Sequence, residues 1–299
     1  MNNTNNTYTE VADIKVYTKM EDYAMLVKLK LNLFVVFSSV LAYFIIAGSS
    51  INWFHVLILA VGGFLITSAA NTLNQVLEKD YDKLMTRTAD RPLAAGRMKV
   101  SEAVIFAGVT TIIGFILLAM INPLVVLLST LSLVSYAFLY TPLKRHSTLA
   151  VAVGAIPGAL PVMIGGVAAE GQLTLMISCL FFIQFLWQFP HFWAIAYLAF
   201  EDYHGAGYKL LPVNEYEEID PKLGLHASLY AVLIIPFVVM LYITGDASIL
   251  ATIVSGIMSL VYLYMSVKFY ITTERKTALG LMFSSFIFLP VVLISYWVL

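Results

Sequence analysis

Long apolar stretches, separated by short polar segments, follow one another along almost the whole chain. Nine stretches occur, and each comes close to the about 20 residues that a helix needs to cross the hydrocarbon core of a bilayer. They cover residues 31–47, 54–73, 103–121, 124–140, 149–169, 173–198, 227–244, 248–270 and 278–298. The pattern predicts an all-α, polytopic membrane protein with nine transmembrane helices.

The basic residues fall on one side of this predicted bundle. Lys and Arg occur only before the first stretch or in and beside the segments that follow even-numbered stretches. These residues are Lys15, Lys19, Lys28, Lys30, Lys79, Lys83, Arg87, Arg91, Arg97, Lys99, Lys144, Arg145, Lys209, Lys222, Lys268, Arg275 and Lys276. Because cytoplasmic loops carry an excess of Lys and Arg, we expect the N-terminus in the cytoplasm and the C-terminus outside.

Composition narrows the class of protein further. With 60% hydrophobic and 12% charged residues, the chain does not resemble a water-soluble domain. Its single cysteine, Cys179, excludes a disulfide framework and a thiolate metal cluster. The first 25 residues lack the apolar core of a signal peptide. We therefore expect a cytoplasmic tail over 1–25 and one membrane domain over 26–299, in a bacterial inner membrane, with the lipid bilayer and no nucleic acid as a partner.

The segment after the second stretch carries the first candidate site. If the helix continues beyond residue 73, Asn74, Glu78 and Asp82 recur at intervals of four and share one face. Mg²⁺ prefers such oxygen ligands and is usually held by one or two carboxylates together with substrate phosphates. Three cations that match phosphate oxygens follow directly: Lys83, Arg87 and Arg91. The segment predicts a metal–diphosphate site, although a solvated loop that obeys the positive-inside rule would also explain it.

The sixth stretch and the segment after it carry a second set of candidates. Pro190 is predicted to kink the helix beside His191, where freed backbone groups are tolerated if they line a cavity. Asp202 follows eleven residues after His191, and we expect it to close the metal site from across the bundle. The alternative is an interfacial helix end with an aromatic belt that includes Trp187.

A third candidate lies at the cytoplasmic end of the fourth stretch. Lys144 and Arg145 add two cations beside the predicted anion site. The fifth stretch then contains small residues and prolines between Gly154 and Gly166. Such residues permit close packing of helices, which is the favoured interpretation, or form the wall of a cavity.

Together these motifs resemble those of the UbiA family of intramembrane prenyltransferases, and in detail its protohaem IX farnesyltransferase (haem O synthase) branch. The resemblance extends over nearly the whole chain after the N-terminal tail. Glu78 stands where the family usually has Asp, and Ala199 where a basic residue is frequent. The matching segments are Asn74-x-x-x-Glu78-x-Asp80-x-Asp82, Met85-x-Arg87-Thr88-x-x-Arg91-Pro92-Leu93, Tyr140-Thr141-x-x-Lys144-Arg145, Trp187-Gln188-x-Pro190-His191-Phe192-Trp193, and Asp202-Tyr203-x-x-Ala206-Gly207 with Leu211-Pro212.

The resemblance implies a nine-helix bundle around a central, laterally open cavity with a metal–diphosphate cap. It implies transfer of the farnesyl group of farnesyl diphosphate to a vinyl group of haem B, with addition of water, giving haem O for respiratory terminal oxidases. The implied catalytic and metal-binding residues are Asn74, Glu78, Asp82 and Asp202, with Mg²⁺ as the cofactor. The implied diphosphate-binding residues are Lys83, Arg87, Arg91, Lys144 and Arg145. His191 and Trp187 are candidates for contact with haem B, by iron ligation or by a hydrogen bond to a propionate.

Two other functions remain open at this point. A related enzyme that prenylates an aromatic quinone precursor would share the segment from Asn74 to Arg91, but should carry a richer aspartate cluster than Glu201-Asp202. A non-enzymatic membrane transporter would be expected to carry polar residues across the whole membrane, whereas the charges here stop at one face. A downstream haem-modifying membrane enzyme or oxidase assembly is a further candidate partner.

Overall fold

The computed structural model describes residues 17–299, so Lys15 and most of the predicted tail lie outside the described residues. Within that range, nine helices are long and apolar enough to span a membrane, as the sequence predicts. These nine are α2 (Leu29–Ala47), α3 (Trp53–Asp82), α4 (Val100–Ala119), α5 (Pro123–Leu143), α6 (Ala150–Glu170), α7 (Leu175–Leu198), α9 (Leu223–Ile243), α10 (Ile249–Thr272) and α11 (Arg275–Val298). Two short helices, α1 (Lys19–Leu26) and α8 (Phe200–Gly205), lie outside the spans.

Short capped turns join the helices at the face that lacks Lys and Arg. The four helices that begin there each start with a side chain that accepts hydrogen bonds from the first turn: Asn52 for α3, Asn122 for α5, Thr174 for α7 and Ser248 for α10. Each cap satisfies backbone donors that the helix itself leaves free and contributes about 1 kcal/mol. This face of the bundle is therefore closed by short, capped turns, whereas the longer connections lie at the opposite face.

Two apolar cores hold the bundle together. One lies mainly among α2 to α7, and the other mainly among α7 and α9 to α11. Helices α2 and α6 approach each other so closely that a Cβ at Gly165 would lie 1.8 Å from the Ser39 carbonyl oxygen. This contact is possible only because residue 165 has no side chain, and it supports the prediction that small residues of the fifth stretch serve packing.

Prolines interrupt α6 and α7 on the inner side of the bundle. Pro157, Pro161 and Pro190 lie inside these helices and remove backbone donors. Side chains of neighbouring helices bind carbonyl groups of α6: Ser132 Oγ donates to Pro157 O at 3.4 Å, and Gln184 Nε2 donates to Gly158 O at 2.8 Å. Ser132 thus supplies a donor to the carbonyl group that would otherwise accept from residue 161, where proline has no N–H.

A π-helical turn interrupts α5 at Ser135–Tyr140. Pro142 follows it and has no N–H to continue the ladder, and the N–H of Thr141 bonds to Tyr136 O, five residues back. The Thr141 hydroxyl also donates to Tyr136 O, at 2.8 Å. Such turns are rare and occur often at functional sites. The hydrophobic pattern predicts a plain helix over 124–140 and gives no sign of this turn.

Candidate active site: two chambers with a common wall

Two cavities lie next to each other inside the bundle and share three wall residues, Leu31, Tyr136 and Tyr140. The polar chamber, of about 160 Å³, is lined among others by Lys28, Glu78, Asp82, Arg87, Arg91, Lys144, Tyr203 and Tyr208. The apolar chamber, of about 260 Å³, is lined by residues of α2, α3, α5, α6 and α7, including Trp187 and His191. Charged groups and hydrocarbon walls therefore meet at one boundary.

The acidic wall of the polar chamber comes from a single helix. Helix α3 continues to Asp82, so Asn74, Glu78 and Asp82 do project from one face, and all three are buried. The amide Nδ2 of Asn74 donates to Glu78 Oε2 at 2.8 Å and to Thr141 Oγ1 at 3.0 Å. The spacing of four residues thus places three oxygen-bearing side chains on one face, two of which are joined by a hydrogen bond.

Each of these three side chains has a basic partner. Lys144 forms an ion pair with Glu78, and Arg91 Nη1 donates to both carboxylate oxygens of Asp82 at 2.8 Å. Because an isolated buried charge is costly, each pair balances the charge of one buried carboxylate. Two further basic groups line the same chamber, Lys28 and Arg87. An incoming anion together with its metal ion could exchange partners with both kinds of group.

Lys28 completes the cluster, and the sequence does not predict this role. Its Nζ donates to Asn74 Oδ1 at 2.7 Å and lies 3.3 Å from the Tyr136 hydroxyl. The residue adopts a left-handed conformation with φ of 50° and so separates helix α1 from helix α2. Burial, with a further contribution from Arg91, lowers the pKa of Lys28 well below its ordinary value. Its position directly before the first apolar stretch is the only signal that the sequence offers.

Two tyrosines from the segment after α7 line the polar chamber. Arg87 Nη2 donates to the Tyr203 hydroxyl at 3.0 Å. Tyr208 is buried, and desolvation together with the carboxylate of Glu78 raises its pKa, so its hydroxyl stays a neutral donor. Neither tyrosine is among the site residues that the sequence motifs suggest, although Tyr203 directly follows one of them.

Four predicted metal- or diphosphate-binding residues do not line the polar chamber. One is Asn74, which is fully buried and bonds to Glu78. Lys83 is exposed and pairs with Asp80 at 3.1 Å, and the Arg145 guanidinium lies 4.3 Å from the centre of the Tyr81 ring. Asp202 belongs to the separate helix α8, not to a continuation of α7. Its Oδ1 accepts from Thr86 Oγ1 at 3.1 Å. Within residues 17–299, no three His, Cys, Asp or Glu side chains cluster closely enough to hold a metal ion on their own.

Aromatic rings and an inward-facing histidine shape one side of the apolar chamber. Trp187 and His191 stack with ring centres 4.7 Å apart. Trp187 Nε1 donates to the Ser285 carbonyl oxygen at 2.9 Å, and His191 Nδ1 lies 2.6 Å from Ser285 Oγ. Helix α11 therefore fixes both rings. Both rings belong to the sequence motif around Pro190, and both line the chamber, whereas no sequence signal indicates the partner Ser285.

The sequence is similar to that of a known family and of several named relatives. Residues 35–289 match the model of the UbiA prenyltransferase family. A protoheme IX farnesyltransferase of Cytophaga hutchinsonii is 38% identical over 280 residues, which are 93% of this chain and 97% of the relative. A protein of the same name from Aquifex aeolicus is 38% identical over 235 residues, or 77% of this chain and 78% of the relative.

Solved structures agree on the fold. A structure of digeranylgeranylglyceryl phosphate synthase has a TM-score of 0.79 at 19% identity, and covers 93% of this chain and 97% of its own. A structure of a UbiA homolog from Archaeoglobus fulgidus bound to DMAPP and Mg²⁺ has a TM-score of 0.66 at 13% identity. The match covers 93% of this chain and 100% of the homolog. At these identities the likeness establishes a common helical architecture.

Proposed function

This chain belongs to the UbiA prenyltransferase family, and from that premise we propose that it transfers the farnesyl group of farnesyl diphosphate to a vinyl group of haem B. Addition of water then gives haem O and diphosphate. The chain is a multi-pass membrane protein, which suits two amphipathic substrates with long or planar apolar parts. The relatives named protoheme IX farnesyltransferase support this acceptor over an aromatic quinone precursor.

The observation that carries the proposal is the common wall of the two chambers. A prenyl diphosphate has a charged head and a hydrocarbon tail joined at the carbon that reacts. The polar chamber offers Arg87, Arg91 and Lys144 to the head, while the apolar chamber offers hydrocarbon and aromatic walls to the tail. The reacting carbon would then lie near Tyr136 and Tyr140, which belong to both chambers.

The residues of the polar chamber fit a Mg²⁺ ion that arrives with the diphosphate. Two carboxylates of α3, Glu78 and Asp82, line the chamber, and Asn74 is bonded to Glu78 one turn earlier on the same face. Two carboxylates and an amide oxygen are the partial ligand set that Mg²⁺ uses when phosphate oxygens supply the rest. Asn74, Glu78 and Asp82 would hold the ion, which supplies charge neutralisation of the leaving diphosphate. Asp202, which bonds to Thr86, stays a prediction as a fourth ligand.

Charge stabilisation by fixed cations performs most of the catalysis in this proposal. As the allylic C–O bond breaks, Arg91 and Lys144 exchange their carboxylate partners for diphosphate oxygens and stabilise the negative charge that develops there. Lys28 and Tyr208 line the same chamber and add donors. No covalent nucleophile of the protein takes part.

The apolar chamber governs what happens to the allylic cation. The vinyl group of haem B attacks it to form a C–C bond, and water captures the resulting porphyrin-side cation with release of a proton. Hydrocarbon walls keep water from the first cation, since its capture would give farnesol instead. The rings of Tyr136 and Tyr140 lie 5.5 Å apart at the boundary, where their faces can stabilise positive charge.

The proposed location is a bacterial inner membrane with the polar chamber on the cytoplasmic side. The charge pattern supports it, because the segments next to the polar chamber carry the basic residues and the capped turns at the other face carry none. Reporter fusions after Leu299 and before Met1 would check the orientation. A C-terminal fusion active only in the cytoplasm would contradict it.

Purified protein in detergent with haem B, farnesyl diphosphate and Mg²⁺ tests the function directly. Chromatography and mass spectrometry should detect a farnesylated, hydrated haem, and EDTA should abolish it. Parallel reactions offer an aromatic quinone precursor in place of haem B. Prenylation of that acceptor with unchanged haem would contradict the proposed substrate but retain the reaction class.

A further inference from the structure

Ser285 determines which ring nitrogen of His191 carries a proton. Ser285 Oγ lies 2.5 Å from the carbonyl oxygen of Met282. A carbonyl oxygen can only accept, so the single hydroxyl proton of Ser285 must lie between these two oxygens. The hydroxyl then has only lone pairs left to offer on its other side.

His191 must therefore act as the donor in its contact with Ser285. Its Nδ1 lies 2.6 Å from Ser285 Oγ, a separation at which one of the two atoms has to supply a proton. Because Ser285 has already used its proton, Nδ1 carries the hydrogen. If the imidazole is neutral, the second nitrogen, Nε2, has a free lone pair.

The surroundings keep the imidazole neutral. His191 is 8% exposed, and the described walls of the apolar chamber contain no charged side chain that could balance an imidazolium. Three aromatic rings surround it, those of Trp187, Phe192 and Phe286. In such a place the charged form would be strongly disfavoured.

Nε2 is consequently a Lewis base without a partner inside the described chain. No hydrogen bond of residues 17–299 involves it, and its ring lines the apolar chamber. A neutral nitrogen with a lone pair can bind a metal ion but cannot donate a hydrogen bond to a carboxylate. This distinguishes the two modes of haem contact that the sequence leaves open.

We propose that Ser285 is a positioning residue that holds His191 in the Nδ1–H tautomer, so that Nε2 serves as an axial ligand of the haem B iron. The proposal rests on the proposed function, because it takes haem B as the substrate. Metal-bound histidines commonly donate their other N–H to a fixed acceptor, which orients the ring and raises its basicity. Ligation would fix the porphyrin plane relative to the wall formed by Tyr136 and Tyr140, where its vinyl group reacts.

The test compares binding of haem B with binding of iron-free protoporphyrin IX to the purified full-length protein. Both molecules carry the same vinyl and propionate groups, and only haem B has an iron to ligate. His191→Ala should weaken haem B binding by about 10- to 100-fold and remove the absorption and EPR signature of nitrogen ligation, while protoporphyrin binding stays the same. Equal weakening for both molecules would indicate a propionate contact and overturn the proposal.

A matched pair of serines isolates the role of Ser285. Ser284 also donates to a carbonyl three residues back, Leu281 O at 2.8 Å, but has no contact with His191. Ser285→Ala should lower haem B affinity about tenfold and alter the ligation spectrum, whereas Ser284→Ala should leave both unchanged. An unaltered spectrum in Ser285→Ala, at unchanged affinity, would contradict its positioning role.

Binding of inorganic diphosphate with Mg²⁺ serves as the control for folding, since it needs only the polar chamber, which does not include His191. The two proposals fail in different ways. If His191 ligates haem B but the haem is never farnesylated, the proposed function is contradicted and the proposed ligation stands. If a His191→Ala variant farnesylates haem B and its haem spectrum matches that of the unmodified protein, the proposed ligation is contradicted and the proposed function stands.

Discussion

The two chambers are built by opposite means, although they share Leu31, Tyr136 and Tyr140. In the polar chamber, ionised groups hold one another: Glu78 pairs with Lys144, and Asp82 pairs with Arg91. In the apolar chamber, neutral groups bind backbone carbonyls, as Gln188 does with Ala155 O at 3.0 Å. The first chamber depends on charge and the second on shape.

Because of this difference, we expect the two chambers to respond differently to substitutions. Removing one charge from a paired cluster leaves its partner unbalanced and alters the chemistry at once. Changing the volume of a wall displaces neighbours by fractions of an ångström and affects binding more gradually. Substitutions in the polar chamber should therefore cost more activity than substitutions at the wall, and pairs of neighbouring residues can separate the two effects.

The largest loss of activity is expected for Asp82→Asn, which keeps the shape of the side chain and removes its charge. Turnover should fall by about 10³-fold, equivalent to about 4 kcal/mol of transition-state stabilisation. Asp80→Asn is the control, because Asp80 lies on the same helix but is exposed and pairs with Lys83. Similar activity of the two variants in the haem assay would contradict the placement of the metal–diphosphate site.

A loss of about 10²-fold in kcat/KM is expected for Lys144→Ala, since one cation facing the leaving group disappears. Its sequence neighbour provides the comparison. Arg145 packs on Tyr81 and does not line the polar chamber, so Arg145→Ala should cost much less. Steady-state kinetics with varied farnesyl diphosphate would measure kcat/KM for both variants. An equal loss in the two variants would support Arg145 as a diphosphate-binding residue.

A loss of activity of about tenfold is expected for a substitution that displaces the common wall of the two chambers. A Cβ at Gly154 would lie 2.6 Å from Cδ2 of Tyr140, so Gly154→Ala must displace a ring that borders both chambers. We expect KM to rise for farnesyl diphosphate and for haem B together. A rise for only one substrate would mean that Tyr140 does not form a wall of both binding sites.

Almost no effect is expected for Gly63→Ala, which makes the same chemical change on α3. Nothing lies within 4 Å of a Cβ at that position. Replacing glycine in a helix without a clash stabilises a protein by about 0.4–1 kcal/mol, so the thermal unfolding temperature should rise slightly at unchanged activity. A large loss of turnover would show that the open space at Gly63 is needed by a substrate.

Much of the polar chamber could be predicted from the sequence, because one helix supplies its acids. Asn74, Glu78 and Asp82 need only a continuous helix to meet, and four-residue spacing reports that directly. The nine spans follow equally directly from the length and composition of the apolar stretches. Local periodicity was sufficient in both cases.

Other parts depend on tertiary packing and leave no local pattern. Lys28 reaches Asn74 only because the chain turns through a left-handed residue between α1 and α2. Ser285 meets His191 across 94 positions of sequence, and nothing near either residue indicates the other. Asp202 belongs to a separate helix because α7 ends at Leu198, which no periodicity within the aromatic segment foretells.

The π-helical turn at Ser135–Tyr140 sets the rotational phase of the residues that follow it. Each residue of an α-helix advances the side-chain direction by about 100°, so deleting one residue from this turn would rotate Thr141 and Lys144 by that angle relative to α3. Thr141 would then turn away from Asn74, and Lys144 from Glu78. The fourth spanning helix, α5, thus carries one extra residue in its turn, and that residue keeps the end of the helix in register with the acids opposite.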